Sequence, residues 1–478
     1  MLIPDLRCEL SSMDLGDARL NRRAQHIVAR LQEAPAAGFP AVFKNPSELE
    51  AFYRFTNNKE VDHGKLLAPH HKESWARTSD ADVVLVLQDT SFCSFSGEAD
   101  RVGLPRDGKK QGFHIHTALA VGETAAPVVH GVVGLNVYTV FDGLWFEENG
   151  GSHREEQWIG SQRWQDLVAD VHEAAPQGKQ LVHVMDREAD DYALWSEIVA
   201  AEDDFVIRSK HNRRLTKEKG RLSDATASAE VVVQREVPLS RRTGVGRPPR
   251  SRKTHPDRAT RMAQLTLKAT EVEIVRPDGA APVGQPAMTL RVVEVVETEP
   301  PPGQTPVHWR LITTLPVATA EEVCRVVDIY RKRWLIEEFF KALKTGCSLE
   351  KRQAESLDTL TNVLAILVPV AWRLLVLREV ERATPDAPAT DVLTSEQLEV
   401  LRHQVPSRML PSQPTARHVL LAIARLGGHQ PSSGRPGWQV LGRGMEHLSG
   451  LVKGWRSALD WAKKGGRKHG YNVGDEEK

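Results

Sequence analysis

Apolar and polar positions along this chain follow two different spacings, which predict helices in some regions and strands in others. Near the N-terminus, Leu20, Ala24 and Ile27 recur at the spacing of an α-helix, and we expect residues 1 to about 75 to be helical. Further along, Val83–Leu87 is a short continuous apolar run. A run of this kind is typical of a strand that is buried on both faces.

The central part of the chain alternates predicted strands with predicted helices. This alternation indicates a mixed α/β sheet. Besides the run at 83–87, strands are predicted at 113–121, 127–140, 181–185 and 205–208, and helices near 157–174 and from about 189.

The segment from about 210 to 304 interrupts this alternation. It contains β-rich apolar runs separated by turns rich in Pro, Gly and Arg, and we predict that it is a β-rich insertion within the α/β domain. After about 350 the pattern is mostly helical again. The predicted fold is therefore an α/β mixed sheet with a β-rich insertion, flanked by helical N- and C-terminal domains. The predicted domain boundaries are 1–75, 76–355 and 356–478.

The overall composition is that of a globular protein and gives no sign of a nucleic-acid partner. Lys and Arg together number 63, as do Asp and Glu, so the net charge is zero. The four cysteines lack the spacing of a zinc site or a disulfide framework, which favours a reducing compartment. We find no secretory signal, and the most apolar stretch, Val363–Leu377, is interrupted by Arg373 and too short to cross a bilayer. We therefore expect a cytoplasmic protein that does not contact a membrane.

One segment departs strongly from this balance of charge. Ser240–Arg261 contains eight basic residues and one acidic residue, a local charge of +7. Its run Gly-Arg-Pro-Pro-Arg, with Arg247 and Arg250, resembles the arms by which some proteins enter the DNA minor groove. Neutralisation of DNA phosphates is the broader expectation, and Arg208 and Lys210 would extend the same surface. The alternative is a solvated loop without a partner.

Two acidic residues follow buried strands at equivalent places. Asp89 comes after the apolar run 83–87, and Asp186 comes directly after the run 181–185. We expect both strands to end here. Ligand sites in open α/β sheets gather at the carboxyl ends of strands, so both carboxylates are predicted to face one site. The alternative for each is an ordinary turn residue or a helix N-cap.

A third carboxylate lies on a predicted long helix. Thr319–Glu322 fits a capping box and Gly346 fits a helix C-terminus, so we predict one continuous helix between them. Helical spacing places Glu337 on the same stripe as Tyr330 and Trp334, which are expected to face the core. An acidic group in that position needs a cation or a function.

The alternative for Glu337 is a surface ion pair with Arg333 or Lys341, which would contribute little. Three carboxylates in one cleft would instead repel each other and raise one another's pKa unless cations were present. Mg²⁺ binds carboxylates together with waters and phosphate oxygens, and two such ions can promote in-line displacement at phosphorus. The three carboxylates therefore suit phosphodiester cleavage and strand transfer.

The spacing of four residues on this helix matches a known signature. Tyr330, Arg333, Glu337 and Lys344 form the Y-R-E-K pattern, by which the chain resembles the insertion-sequence-four family of DDE transposases. The likeness covers most of the chain and is strongest from 305 to 350.

Other motifs carry the same resemblance. The run Asp-Arg-Glu-Ala-Asp at 186–190 and the run Gln-Asp-Thr around Asp89 are similar to that family, and so is the position of Trp309. The resemblance implies an RNase H-like fold in which Asp89, Asp186 and Glu337 form a DDE triad. It also implies two bound Mg²⁺ ions in each active site, with Mn²⁺ able to substitute.

The resemblance further implies specific DNA contacts. Tyr330, Arg333, Lys341 and Lys344 would contact the phosphates near the cut and a flipped nucleotide, and Trp309 would stack on the extruded base. The alternative for Trp309 is a core tryptophan on a strand.

The function implied is cut-and-paste transposition. The N-terminal domain would bind DNA, the catalytic domain would cut transposon ends through a hairpin intermediate, and the freed 3′-hydroxyl would attack target DNA. The C-terminal helices would form a homodimer on the paired ends. The alternatives are a catalytically silent, transposase-derived DNA-binding protein and a metal-independent carboxylate hydrolase such as a glycosidase. No phosphate-binding loop is present, so a nucleotide cofactor is not expected.

Overall fold

A computed structural model of the 478-residue chain provides the fold. The chain forms two compact units, the first made of Met1–Pro69, Phe95–Gly103 and Phe339–Lys478, the second of His70–Ser94 and Leu104–Glu338. The residues described are 6–43, 45–96, 101–104, 106–107, 110–125, 128–139, 153–216, 220–239, 257–279, 284–430, 432 and 434–463.

The second unit is built on one large mixed sheet. Its strands are β1 Val83–Phe95, β2 Arg106–Asp107, β3 Lys110–Gly122, β4 Val129–Tyr138, β5 Gln180–Met185, β6 Asp204–Arg208, β7 Val231–Leu239, β8 Arg261–Val275, β9 Ala287–Glu297 and β10 His308–Thr313. They follow the order β2-β3-β1-β5-β6-β10-β9-β8-β7, and β4 also pairs with β3.

The central strands of this sheet pair in parallel, and strands on either side of them pair antiparallel. Strands β1, β5 and β6 run parallel, whereas β10 is antiparallel to both β6 and β9. The hairpin strands β7, β8 and β9 continue the same sheet beyond β10. The predicted β-rich insertion therefore widens the central sheet and does not form a separate layer.

Helices cover this sheet and make up most of the first unit. Those in the described part of the chain are α1 Leu6–Glu9, α2 Ala18–Glu33, α3 Phe39–Val42, α4 Pro46–Thr56, α5 His63–Ala76, α6 His153–Ala174, α7 Tyr192–Ala200, α8 Leu222–Ser228, α9 Ala320–Lys332, α10 Trp334–Lys341, α11 Leu357–Ala383, α12 Ser395–Arg402, α13 Ala416–Leu426 and α14 Trp438–Lys463. The expected mixed α/β sheet with helical N- and C-terminal regions is confirmed.

The apolar stretch after residue 360 forms the central helix of the first unit. Helix α11 is long and apolar enough to cross a bilayer by composition alone, but 94% of its most apolar window is buried inside the protein. Its hydrophobic side chains are buried all round. The sequence expectation of a buried helix is correct.

Glycines bring helix α14 into direct contact with neighbouring backbone. A Cβ atom at Gly442 would collide with the carbonyl oxygen of Gly346, and one at Gly444 would collide with the carbonyl oxygen of Ile423. Only glycine permits this approach. The contact with Gly346 holds the short π-helix Ala342–Gly346 that ends the segment begun by α10.

Two sequence expectations about element ends are wrong. Strand β1 does not end at Asp89 but continues to Phe95, because the alternation of buried Cys93 and Phe95 extends it alongside β3. The predicted single helix from Thr319 to Gly346 is interrupted after Lys332 and ends in a π-helix.

Candidate active site

Strand register brings Asp89 and Asp186 to the same place in the sheet. The parallel pairing of β1 with β5 runs as far as Leu87 opposite Val184. Asp89 and Asp186 each lie two residues beyond those positions, and side chains two residues apart on a strand point to the same face. Both carboxylates therefore belong to one face of the sheet, although only Asp186 lies at a strand end.

Asp186 begins a tight turn after β5. Its Oδ1 accepts a hydrogen bond from the backbone N–H of Glu188 at 2.8 Å and caps the 3₁₀ turn Arg187–Ala189. Asp186 therefore caps this turn, which was the alternative interpretation of this residue. The cap uses only one of its two carboxylate oxygens.

The same turn is anchored by an ion pair that the sequence analysis missed. The buried carboxylate of Asp190 accepts hydrogen bonds from the backbone N–H of His211 at 2.7 Å and from Arg213 Nη2 at 2.7 Å. It also accepts one from the backbone N–H of Lys210 at 2.5 Å. The Arg213 guanidinium lies over the Trp195 ring, 4.9 Å from its centroid. The turn after Asp186 is therefore held against the chain that leads into the insertion.

The predicted capping box positions the start of helix α9. Thr319 Oγ1 accepts from the backbone N–H of Glu322 at 3.2 Å, and the Glu322 carboxylate accepts from the backbone N–H of Thr319 at 3.1 Å. This reciprocal cap is the one expected from the sequence. It starts the helical segment that carries Tyr330, Arg333 and Glu337.

Arg333 lies at a tightened turn between α9 and α10. Its backbone N–H donates to the carbonyl of Tyr330 at 3.1 Å, and the N–H of Ile336 donates to the carbonyl of Arg333 at 3.1 Å. These three-residue bonds wind the chain more tightly than an α-helix and rotate the residues that follow. Trp334 is consequently 44% exposed, so the expectation that it faces the core is wrong, whereas Tyr330 is buried as expected.

The Arg333 guanidinium joins two of the three predicted carboxylates. Its Nη1 lies 2.8 Å from Asp89 Oδ2, and its Nη2 lies 2.5 Å from Glu337 Oε1. The ion pair of Glu337 with Arg333, which was the alternative interpretation of Glu337, is present. Because Arg333 also binds Asp89, that pair belongs to a half-buried three-residue cluster on the face of the sheet that carries Asp186.

Electrostatics in this cluster favour a protonated Asp89. Burial raises the pKa of Asp89 to about 7; Asp186 and Glu337 add to the rise, and Arg333 opposes it. Burial alone would lower the pKa of Arg333, but Tyr330, Asp89 and Glu337 together raise it. Arg333 therefore stays charged, while Asp89 exchanges a proton near neutral pH.

The donor chemistry of this cluster fits a hard divalent cation. Among the described residues, no three His, Cys, Asp or Glu side chains are grouped closely enough to hold a metal ion. Arg333 instead supplies positive charge to Asp89 and Glu337. Burial, with Asp186 and Glu337, raises the pKa of Asp89 despite Arg333, so a further cation would be favourable here. Carboxylate oxygens are the ligands that Mg²⁺ and Mn²⁺ prefer.

An aromatic and basic group lies beside the carboxylates. The Trp309 ring centroid is 5.4 Å from that of Tyr330 in an edge-on arrangement, and Trp309 is half-buried on β10. Arg208 Nη2 donates to the carbonyl of His308 at 3.1 Å, and burial lowers the pKa of Arg208. Trp309, Tyr330, Arg208 and Arg333 are thus brought together within the second unit.

The remaining predicted DNA contacts belong to other parts of the chain. Lys210 is exposed at the start of the insertion, next to the Asp190 anchor. Lys341 and Lys344 belong to the first unit, where Lys344 Nζ lies 3.6 Å from Glu350. The predicted contacts Arg247 and Arg250 lie outside the described residues.

One arginine of the basic segment Ser240–Arg261 already forms an ion pair within the protein. Arg261 binds the buried Glu297 carboxylate through both terminal nitrogens, with Nη2 to Oε2 at 3.0 Å. Arg261 therefore joins β8 to β9 and is not a free positive charge, which reduces the charge expected on this segment.

Two family comparisons agree with this geometry. Residues 6–61 match the transposase DNA-binding family, and residues 161–371 match the transposase DDE domain family. Both matched families are transposase domains, and they cover separate parts of the chain. The DDE match includes Asp186 and Glu337 but begins after Asp89. With the DDE domain present, the mixed sheet is RNase H-like, as the resemblance implied.

The match to the DNA-binding family covers the N-terminal helices. Helix α2 buries Ala24, Ile27 and Val28 and exposes Arg22 and Arg23 on its other side. This is an amphipathic helix with a basic outer face, which suits contact with DNA phosphates. The sequence left a plain helical cap open as an alternative, and the family match favours DNA binding.

Proposed function

We propose that this DNA transposase is a cut-and-paste enzyme whose catalytic carboxylates are Asp89, Asp186 and Glu337. The single observation that carries this proposal is the Arg333 bridge, which holds Asp89 and Glu337 together on the face to which Asp186 belongs. The DDE domain match supports the same chemistry, and the family implies a divalent metal.

Asp89, Asp186 and Glu337 would hold the metal, proposed as two Mg²⁺ ions with Mn²⁺ able to substitute. When bound, the ions would activate the attacking oxygen and stabilise the leaving oxygen. The protein's own part is to position these carboxylates. Burial raises the pKa of Asp89 to about 7, so this carboxyl exchanges its proton near neutral pH.

Arg333 and the aromatic group are proposed to bind the DNA strand. The raised pKa of Arg333 keeps it cationic, so it can neutralise a phosphate when it is not bonded to the carboxylates. Trp309 and Tyr330 lie edge to face and offer a stacking surface for an unpaired base. Arg208 borders this surface, and Lys341, Lys344 and Lys210 are proposed as further phosphate contacts.

The order of steps is proposed from the Y-R-E-K resemblance to the insertion-sequence-four family. Each transposon end would be nicked to leave a 3′-hydroxyl, which would attack the opposite strand to form a hairpin. After the hairpin is reopened, the 3′-end would attack target DNA. A cytoplasmic location, on the nucleoid when bound to DNA, is proposed with it.

A homodimer on paired transposon ends is proposed through helix α14. The last turns of this helix are exposed and carry apolar side chains, with Trp455 at 38%, Leu459 at 42% and Trp461 at 66% exposure. Exposed aromatic and aliphatic residues on one element are a common feature of protein interfaces. A second copy of the chain would cover them.

The competing proposal is a catalytically silent DNA-binding protein. Both candidates bind DNA through residues 6–61, so binding alone does not separate them. The Arg333 cluster favours an active enzyme, since a silent protein has no need to keep three carboxylates on one face. A metal-independent hydrolase is disfavoured by the DDE domain match.

Cleavage of DNA that carries the gene's own flanking inverted ends tests this proposal. Wild type with Mn²⁺ should produce 3′-hydroxyl ends, whereas EDTA or Glu337→Gln should abolish them. Glu321→Gln changes an exposed carboxylate on α9 and should cut normally. Normal cutting by Glu337→Gln would refute the triad, and binding without cutting by wild type would favour the silent protein.

A further inference from the structure

The first unit contains an arginine-lined cleft remote in sequence from the triad. It has a volume of about 440 Å³ and is formed by the end of α11, the start of α13 and residues 434–436. Its base includes Leu420 and Pro436, which are buried. Its charged lining residues are Arg378, Glu381, Arg382, Arg417 and Arg435.

Positive charge exceeds negative charge in this cleft. Of the four arginines, Arg382 lies 3.8 Å from Glu379. Arg417 and Arg435 are exposed and pair with no carboxylate among the described residues. Four arginines and one acid, Glu381, line this concave surface, so positive charge is in excess and the cleft favours an anion.

One of the arginines is already fixed in position. The Arg378 guanidinium lies over the Trp438 ring, 4.4 Å from its centroid. Stacking of this kind orients the planar fork and reduces the entropy that binding a ligand would cost. Guanidinium forks match the geometry of phosphate oxygens, to which they donate paired hydrogen bonds.

We propose that this cleft is a phosphate-binding site, and that its ligand is the phosphodiester backbone of duplex DNA away from the active site. The same chemistry would bind a free polyphosphate, which is the other source of such groups. DNA is favoured because the first unit also carries the transposase DNA-binding region, residues 6–61. The inference does not depend on the catalytic triad.

Two matched double variants of the full chain test this site. Arg417→Ala with Arg435→Ala removes two cleft arginines, and Arg408→Ala with Arg425→Ala removes two exposed arginines of the same region outside the cleft. All four positions are exposed, so both variants should fold, which circular dichroism checks.

Binding of a duplex without transposon ends is measured in EDTA over a range of salt concentrations. The cleft variant should bind about tenfold more weakly near 0.1 M salt, and its salt slope should fall by roughly two, because each neutralised phosphate contributes about 0.9. The control variant should change less than this.

Tripolyphosphate, added in EDTA, distinguishes the two sources. A rise in melting temperature that is absent only from the cleft variant, with unchanged DNA binding, would assign the site to a free polyphosphate. A reduced DNA slope in the cleft variant supports the phosphodiester ligand. Equal behaviour of both double variants in both assays would overturn the phosphate site.

Discussion

Arg333 Nη1 lies 2.8 Å from Asp89 Oδ2, and this contact joins residues 244 positions apart in the chain. It gives Asp89 a cationic partner, yet the pKa of Asp89 remains about 7 because burial and two neighbouring carboxylates outweigh that partner. The cluster therefore carries unrelieved negative charge. Several measurable properties depend on this.

The contribution of Asp89 to the stability of the metal-free protein should fall as pH rises from about 4 to 7. The pKa of Asp89 is raised by folding from 3.8 to about 7, so its protonated form stabilises the fold at low pH and this contribution is lost as the proton leaves. The full effect is up to roughly 4 kcal/mol, since one pKa unit is about 1.4 kcal/mol. The free-energy difference between wild type and Asp89→Asn, measured by urea unfolding in EDTA, should therefore change by up to this amount across the range. The difference between wild type and Asp278→Asn, at a 91% exposed carboxylate, should stay constant; equal slopes in all three proteins would contradict the assignment.

Divalent ions should stabilise Arg333→Ala more than they stabilise wild type. Without Arg333, Asp89 and Glu337 lose a counter-ion, and we expect the protein to be about 1–3 kcal/mol less stable in EDTA. Mn²⁺ would then meet two carboxylates with no competing guanidinium. Thermal unfolding with and without Mn²⁺ measures the difference, with Arg331→Ala, beside Asp328, as the control. A smaller Mn²⁺ effect in Arg333→Ala would show that Arg333 does not compete with the ion.

Arg213→Ala should destabilise the protein by about 3 kcal/mol, because it leaves the buried Asp190 carboxylate without its main cation. The neighbouring Arg214 is 59% exposed beside an exposed Asp278, so Arg214→Ala should cost at most about 1 kcal/mol. Chemical unfolding compares the two. A similar small destabilisation in both would mean that Arg213 does not anchor the turn after Asp186.

Removal of residues 241–253 should weaken DNA binding and flatten its salt dependence. The deleted stretch contains most of the basic residues of Ser240–Arg261, and the salt slope should fall by about 0.9 for each DNA phosphate that is no longer neutralised. A Gly/Ser segment of equal length is the matched control for chain connectivity and should behave like the deletion. An unchanged slope would leave the basic segment without a DNA role.

Leu459→Ser combined with Trp461→Ser should prevent dimer formation on transposon-end DNA without lowering the stability of the monomer. Both side chains are exposed, so the change costs little in the free chain. Light scattering of the protein–DNA complex gives its mass. Val231→Ser with Met262→Ser, also exposed at 51% and 55%, is the control. A dimer that persists in the first variant would move the interface elsewhere.

Local signals in the sequence predicted the elements well. The Thr319–Glu322 capping box forms as expected, because a cap depends only on residues within one turn. The apolar runs also located β1, β5 and β6, since strands buried on both faces are apolar throughout.

Features that depend on distant residues were not predictable. Ideal helical spacing placed Trp334 in the core, but the tightened turn at Arg333 rotates it outward. Arg261 was counted as a free charge, whereas it binds Glu297 across the β8–β9 pairing. Asp190 belongs to the Asp-Arg-Glu-Ala-Asp run, but its partner Arg213 lies 23 residues further along the chain, and only the fold brings them together.

The register of β7 with β8 has a consequence for how such an enzyme can diversify. Leu239 pairs with Arg261, so the sheet itself brings both ends of the basic segment to neighbouring positions. Loop-closure entropy changes slowly with length, so this segment can be exchanged for a longer, shorter or differently charged one at little cost to the fold. Under the proposed function, natural selection or a protein engineer can therefore change the DNA contacts of this segment while the carboxylate cluster is inherited intact.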